Sequence, residues 1–250
     1  MELQDVVILA ASFFVVATLF TTVGHAGASG YLAMMALVGL APETMRPTAL
    51  TLNILVAAFT VYRFRQARHV HWPGLWPFLL GSVPFAAVGG IQSLSRGTYY
   101  VAMGLVLLIA ASYLVWRAFG ARAMIEERVV RVRKIPAVFI GCVIGFLSGL
   151  IGVGGGIFLS PILLTLGWAG PKTTAGISAP FILVNSAVAL VAGSLTVQEL
   201  PGELPLLAAA ALGGAFLGTW LGLQKLNQKA LVVTLAVVMS LAGLKLILTA

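Results

Sequence analysis

Long apolar runs separated by short polar loops account for almost the whole chain. Runs can be read at about 6–23, 28–41, 47–62, 74–92 and 98–118, and again at about 136–151, 156–168, 174–195, 204–223 and 230–249. They are continuous and do not alternate, which predicts helices and argues against a membrane barrel. A full span needs about 20 residues. The runs 28–41 and 156–168 fall short of that and predict half-helices or re-entrant legs. The pattern as a whole predicts an all-α polytopic membrane protein in two sets of five segments. Residues 1–118 form a first membrane repeat, 119–135 a basic linker and 136–250 a second membrane repeat.

Each short run follows a glycine-rich break. The first break reads Gly24-His25-Ala26-Gly27-Ala28-Ser29-Gly30 and the second Gly152-Val153-Gly154-Gly155-Gly156. Gly24, Gly27 and Gly39 match Gly152, Gly155 and Gly167 at a constant offset of 128, and Pro42 matches Pro171 if one residue is inserted. Each half then continues into a helix dotted with polar residues: Thr48, Thr51 and Asn53 in one, Ser178, Asn185 and Ser186 in the other. Paired, interrupted hydrophobic segments at corresponding places in two halves point to a transport site near the middle of a membrane.

Composition closes off the soluble alternatives. The chain has 250 residues, 60% hydrophobic and only 9% charged, with a mean hydropathy of +1.05. A soluble domain carries roughly 25% charged residues. This one must use lipid as its solvent, so the bilayer is its first expected partner. The single cysteine, Cys142, excludes an internal disulfide and reads as a packing residue in an apolar run. The start, Met1-Glu2-Leu3-Gln4-Asp5, lacks the basic region of a cleavable signal.

The net charge of +8 would suggest nucleic acid in a soluble protein. Here its placement predicts orientation instead, and no nucleic-acid partner is expected. Arg63, Arg65, Arg68, Arg117, Arg122, Arg128, Arg131, Arg133, Lys134, Lys172, Lys225 and Lys229 fall on one side if the segments alternate. Only Arg46, Arg96 and Lys245 fall on the other, with Glu2, Asp5, Glu43, Glu199 and Glu203. The positive-inside rule then places the basic loops, including the linker, in the cytoplasm and both termini outside. Five segments per half is an odd number, so the halves are expected to be inverted.

The breaks carry the candidate chemistry. Glycine permits positive φ and close approach of backbone to a ligand. A helix beginning after each break presents unpaired N–H groups and the positive end of its dipole, which favours an anion. Gly24, Gly27, Ala28 and Gly30 in the first break, and Gly152, Gly154, Gly155 and Gly156 in the second, are therefore candidate binding positions. Ser29 is placed to cap the first helix or to offer a hydroxyl to the ligand. His25 is the only histidine in an apolar segment and could carry a proton or bind the ligand. Arg46, at the start of the third run, could clamp an oxyanion or snorkel to the interface. Thr48, Asn53, Ser178 and Asn185 either line the path or bond helix to helix. No Asp or Glu lies well inside an apolar run, which argues against a carboxylate proton relay. Nothing in the pattern calls for a metal, a cofactor or a catalytic residue. Gly81, Gly89-Gly90 and Gly213-Gly214-Gly218-Gly222 read as close helix packing.

Gly149-Leu150-Ile151-Gly152-Val153-Gly154-Gly155-Gly156, followed by Pro161 and then Gly176-Ile177-Ser178-Ala179-Pro180, resembles the second repeat of the TauE/SafE-type sulfite exporter superfamily. The run from Gly24 through Asn53 resembles a divergent first repeat of that family, with Gly27-Ala28-Ser29-Gly30 where a glycine triplet is usual. The resemblance covers nearly the whole chain. It implies a bacterial inner-membrane permease for small sulfur-containing anions such as sulfite, thiosulfate or organosulfonates.

Two other readings compete. The same fold could carry another small anion or metabolite. Gly27-Ala28-Ser29-Gly30 also matches the nucleophile motif of rhomboid-type intramembrane serine proteases. That chemistry needs a histidine within hydrogen-bond reach of Ser29.

Overall fold

A computed structural model describes residues 3–120, 132–194, 200–223 and 229–250. The linker residues Arg122, Glu126, Glu127, Arg128 and Arg131, together with Glu199 and Lys225, lie outside the described residues. Ten helices occur among those described: α1 (Leu3–Thr21), α2 (Ala28–Val38), α3 (Pro42–Gln66), α4 (Trp72–Ile91), α5 (Arg96–Gly120), α6 (Lys134–Ile151), α7 (Gly156–Thr165), α8 (Pro171–Gly193), α9 (Leu204–Leu223) and α10 (Lys229–Leu248). The all-helical expectation holds, and each apolar run became one helix. Among the described residues α1, α3, α4, α6, α8 and α9 are long and apolar enough to cross a membrane. Helices α2 and α7 have 11 and 10 residues and are too short to do so.

The largest boundary error was at α3. It begins at Pro42, five residues before the apolar run, because proline's fixed φ suits the first helical turn. Pro47 then lies inside the helix. Arg46 is thus within the helix and not at its start.

Packing follows small residues. Helix α4 makes its most extensive contact with α6, and α1 with α9. At the α4–α6 seam a Cβ added to Gly81 or Gly89 would strike the Val138 or Phe146 carbonyl. One added to Gly141, Gly145 or Gly149 would strike the carbonyl of Phe78, Ser82 or Ala86. The α1–α9 seam repeats the device, with Gly214, Gly218 and Gly222 against Phe14, Thr18 and Thr22. In lipid there is little hydrophobic drive between helices, so such close backbone approach supplies dispersion contact. The glycines read as packing residues do pack, except Gly213, which lies in loose contact with the Phe14 ring.

The packing has a twofold character. Exchanging the halves turns the α4–α6 contact into the α9–α1 contact and maps the α3–α8 and α5–α10 contacts onto themselves. Helices α3 and α8 meet at the centre, where Leu50, Leu52, Val56, Ile177, Phe181 and Ile182 are buried. Large apolar side chains such as Leu80, Phe139 and Val191 face outward, as a surface bathed in lipid allows.

Three basic residues stood opposite the majority in the sequence, and the structure gives each an internal partner. The Arg46 guanidinium donates to the carbonyls of Gly89, Gly90, Gln92 and Gly149 at 2.5–3.0 Å. It therefore caps the C-terminal ends of α4 and α6 together. Lys245 Nζ donates to the Ala36 and Leu37 carbonyls at 3.0 and 2.8 Å, capping α2. Cations at helix C-termini satisfy orphan carbonyls and oppose the dipole. The Arg96 guanidinium lies over the Tyr100 ring, 5.9 Å from its centroid.

Candidate functional site between the two breaks

Both breaks end in a glycine with left-handed backbone immediately before a short helix. Gly27 has φ +103° and opens α2; Gly155 has φ +80° and opens α7. An L-residue reaches this region only at a cost of about 1–2 kcal/mol. Neither N-cap residue supplies a side-chain cap of its own. The capping role considered for Ser29 is therefore not the one it has: it lies inside the first turn of α2, and Gly27 is the N-cap.

The amides of the two first turns are buried and mostly unpaired. Ala28 N–H donates to Asn53 Oδ1 at 3.1 Å. The N–H groups of Ser29, Gly30, Gly156 and Ile157 make no hydrogen bond among the described residues, and all four residues are buried. Buried helix ends in this state normally have a side chain, water or ligand as partner.

Asn53, near the middle of α3, joins the breaks. Its Oδ1 accepts from Ala28 of the first break. Its Nδ2 donates to Ser186 Oγ of α8 at 3.3 Å. A Cβ on Gly154 of the second break would overlap that same Nδ2. Gly154, with φ +73°, is thus required both by backbone conformation and by the amide packed on it.

His25 makes a second connection. Its Nε2 is 2.6 Å from Ser160 Oγ in α7, and Ser160 Oγ is 2.8 Å from Ser178 Oγ in α8. His25, Ser160 and Ser178 are all buried. His25 Cδ2 would lie 3.3 Å from a Cβ on Gly156. Tyr31 OH closes the first break on itself by donating to the Ala26 carbonyl at 2.8 Å.

A small cavity sits at this junction. It is lined by Phe20, His25, Ala26, Gly27, Ala28, Ser29, Asn53, Val153, Ile157 and Ile182. Its volume is about 10 Å³, close to the room needed by one water. The space is too small for an oxyanion of sulfur, which could enter only after the lining moved apart.

Of the residues singled out in the sequence, His25, Gly27, Ala28, Ser29 and Asn53 line the cavity. Gly154 and Gly156 touch Asn53 and His25, and Ser178 reaches His25 through Ser160. The others lie elsewhere. Gly24 packs on Ala175, Gly30 on Val16, and Gly155 on Ile144 and Phe181. Gly152 ends α6 beside the Arg46 side chain. Thr48 Oγ1 is buried without a partner, and Asn185 Nδ2 returns to the Phe181 carbonyl of its own helix at 2.8 Å. Arg46 is engaged by carbonyls and is not part of the lining. Ser160 was not singled out in the sequence. Its one signal is a polar residue placed four positions into a short apolar helix. The apolar wall of Phe20, Val153, Ile157 and Ile182 gave no signal of its own.

The histidine nearest to Ser29 in sequence turns its Nε2 to Ser160, 2.6 Å away, and not to Ser29.

The chain is similar to known proteins along most of its length. Residues 9–246 match a family described as sulfite exporter TauE/SafE. The probable membrane transporter protein y4hK of Sinorhizobium fredii is 37% identical over 243 residues, covering 96% of this chain and 97% of that protein. The probable membrane transporter protein YunE of Bacillus subtilis is 25% identical over 227 residues, covering 82% and 81%. No solved structure matches the chain.

Proposed function

The chain belongs to the TauE/SafE sulfite exporter family and is a multi-pass membrane transporter, and on that premise we propose that it carries small sulfur-containing anions across the bacterial inner membrane. The substrate binds at the junction of the two glycine breaks. The observation that carries this reading is the set of unpaired, buried N–H groups at the starts of α2 and α7, with the Ser29 hydroxyl beside them. Helix N-termini attract anions through their donors and their dipole.

Transport proceeds by alternating access. The two halves are inverted repeats, so α2 and α7 enter from opposite faces, and the site lies near the bilayer midplane. The basic loops face the cytoplasm and both termini face outward. Asn53 and the His25–Ser160 contact hold the breaks together in the closed state, and their separation on one side or the other admits the anion.

Flux of labelled sulfite into proteoliposomes tests the proposal. Saturable sulfite flux with no flux of a cationic control is the expected result. Uptake of the cation without any anion would end the reading.

A further inference from the structure

Resting on that anion site, we infer that it selects singly charged anions over doubly charged ones of the same size. The cavity lining contains no lysine or arginine. The Nη donors of Arg46 and the ammonium of Lys245 are engaged by carbonyl oxygens, while Arg46 Nε is buried without a partner. Arg46 serves the ends of α4 and α6 through four bonds, and Lys245 serves the end of α2 through two. Each is held at a helix C-terminus and is withheld from a ligand at the helix N-termini.

Of the lining residues only His25 can ionise, and its Nε2 is turned to Ser160; the other groups left for the ligand are neutral. The lining takes Ala28 and Ser29 from the start of α2 and Ile157 from the start of α7, so amide donors, a hydroxyl and the positive ends of two helix dipoles lie at the cavity. Phe20, Val153, Ile157 and Ile182 supply an apolar wall, and His25, Ala26, Gly27, Ala28 and Asn53 complete the lining. Ser29 is a second observation beside the helix ends: it is only 3% exposed, it lines the cavity, and its hydroxyl makes no hydrogen bond among the described residues. The dipoles contribute roughly half a charge each, about what one negative charge requires. The cost of removing an ion from water rises with the square of its charge, and an uncompensated second charge in an apolar setting is costly. A fixed cation or a guanidinium fork would answer a second charge most strongly, and neither lines this cavity. A monoanion with an apolar end, such as an alkanesulfonate, matches both walls: its oxygens face the amides and its alkyl group faces Ile157 and Ile182.

The test is flux of the full chain in proteoliposomes at one pH, comparing methanesulfonate with sulfate and thiosulfate. All three are compact, tetrahedral sulfur anions, and only the first carries a single charge. Methanesulfonate flux at least tenfold above both dianions is expected. Dianion flux equal to or faster than methanesulfonate would overturn the charge selectivity and leave the anion site standing. No saturable flux of any of the three would remove the anion site and the selectivity together.

Discussion

His25 Nε2 and Ser160 Oγ lie 2.6 Å apart although 135 positions separate them in the chain. The contact ties the first glycine break to the short helix that follows the second. It is buried, so His25 Nε2 loses more than the bond when Ser160 is removed, whereas Ser160 keeps Ser178. A donor or acceptor stranded in this way costs about 1–3 kcal/mol.

The first prediction follows from that pairing. Ser160→Ala and His25→Ala should each lower thermal stability in detergent, and the double variant should be little worse than the poorer single one. A coupling of roughly 0.5–3 kcal/mol is expected for groups in direct contact. Strictly additive losses would mean that the bond contributes nothing.

Asn53 gives the second. It accepts from Ala28 N–H and packs its amide on Gly154. Asn53→Leu keeps the bulk and removes both polar ends. Flux should fall at least tenfold while the protein still reaches the membrane, because Ala28 N–H is stranded and the two breaks lose their common partner. Flux within twofold of wild type would show that the amide serves neither.

A third prediction separates the glycines of the site from those that only terminate helices. Gly154 and Gly39 both have positive φ, +73° and +87°. A Cβ at Gly154 would collide with Asn53, Ile182 and Ser186, whereas none of the neighbours of Gly39 lies within 4 Å of one. Gly39→Asn should be tolerated, since asparagine visits the left-handed region readily. Gly154→Ala should abolish flux. Equal behaviour of the two variants in a transport assay would contradict the distinction.

Arg46 supplies the fourth. A guanidinium that spans carbonyls of α4 and α6 cannot be replaced by a point-like ammonium. Arg46→Lys should lower the melting temperature in detergent, with a loss of about 2–3 kcal/mol if one charge-assisted bond or two are forfeited. The variant protein that remains folded should keep its apparent affinity for the anion. Unchanged stability with a large rise in KM would mean that Arg46 binds substrate.

Much of the fold was legible in the sequence because lipid imposes simple rules. Continuous apolar runs became helices, and the two short runs became α2 and α7. The error at α3 arose because Pro42-Glu43-Thr44-Met45-Arg46 is too polar to register as a span, although Pro42 is an ideal first helical residue. The site was legible in part. Clustered glycines marked the breaks, and Asn53 stood out as an amide in an apolar helix. Arg46 was misleading, since sequence alone does not reveal that the ends of α4 and α6 converge on it. Ser160 gave only a weak signal for the same reason: its meaning lies in a partner in the other half of the chain. Contacts between halves depend on helix crossing, and local pattern does not report them.

The central claim is that an anion sits between the two glycine breaks, against Ser29. The most direct measurement uses Ser29→Cys in a Cys142→Ala background, which leaves one thiol, chosen in a form that still transports. The rate of its modification by a maleimide would be followed with and without sulfite, methanesulfonate and a cationic control. Concentration-dependent protection by a transported anion, and none by the cation, is the predicted result. An unchanged modification rate at saturating concentrations of every anion that the variant transports would contradict it.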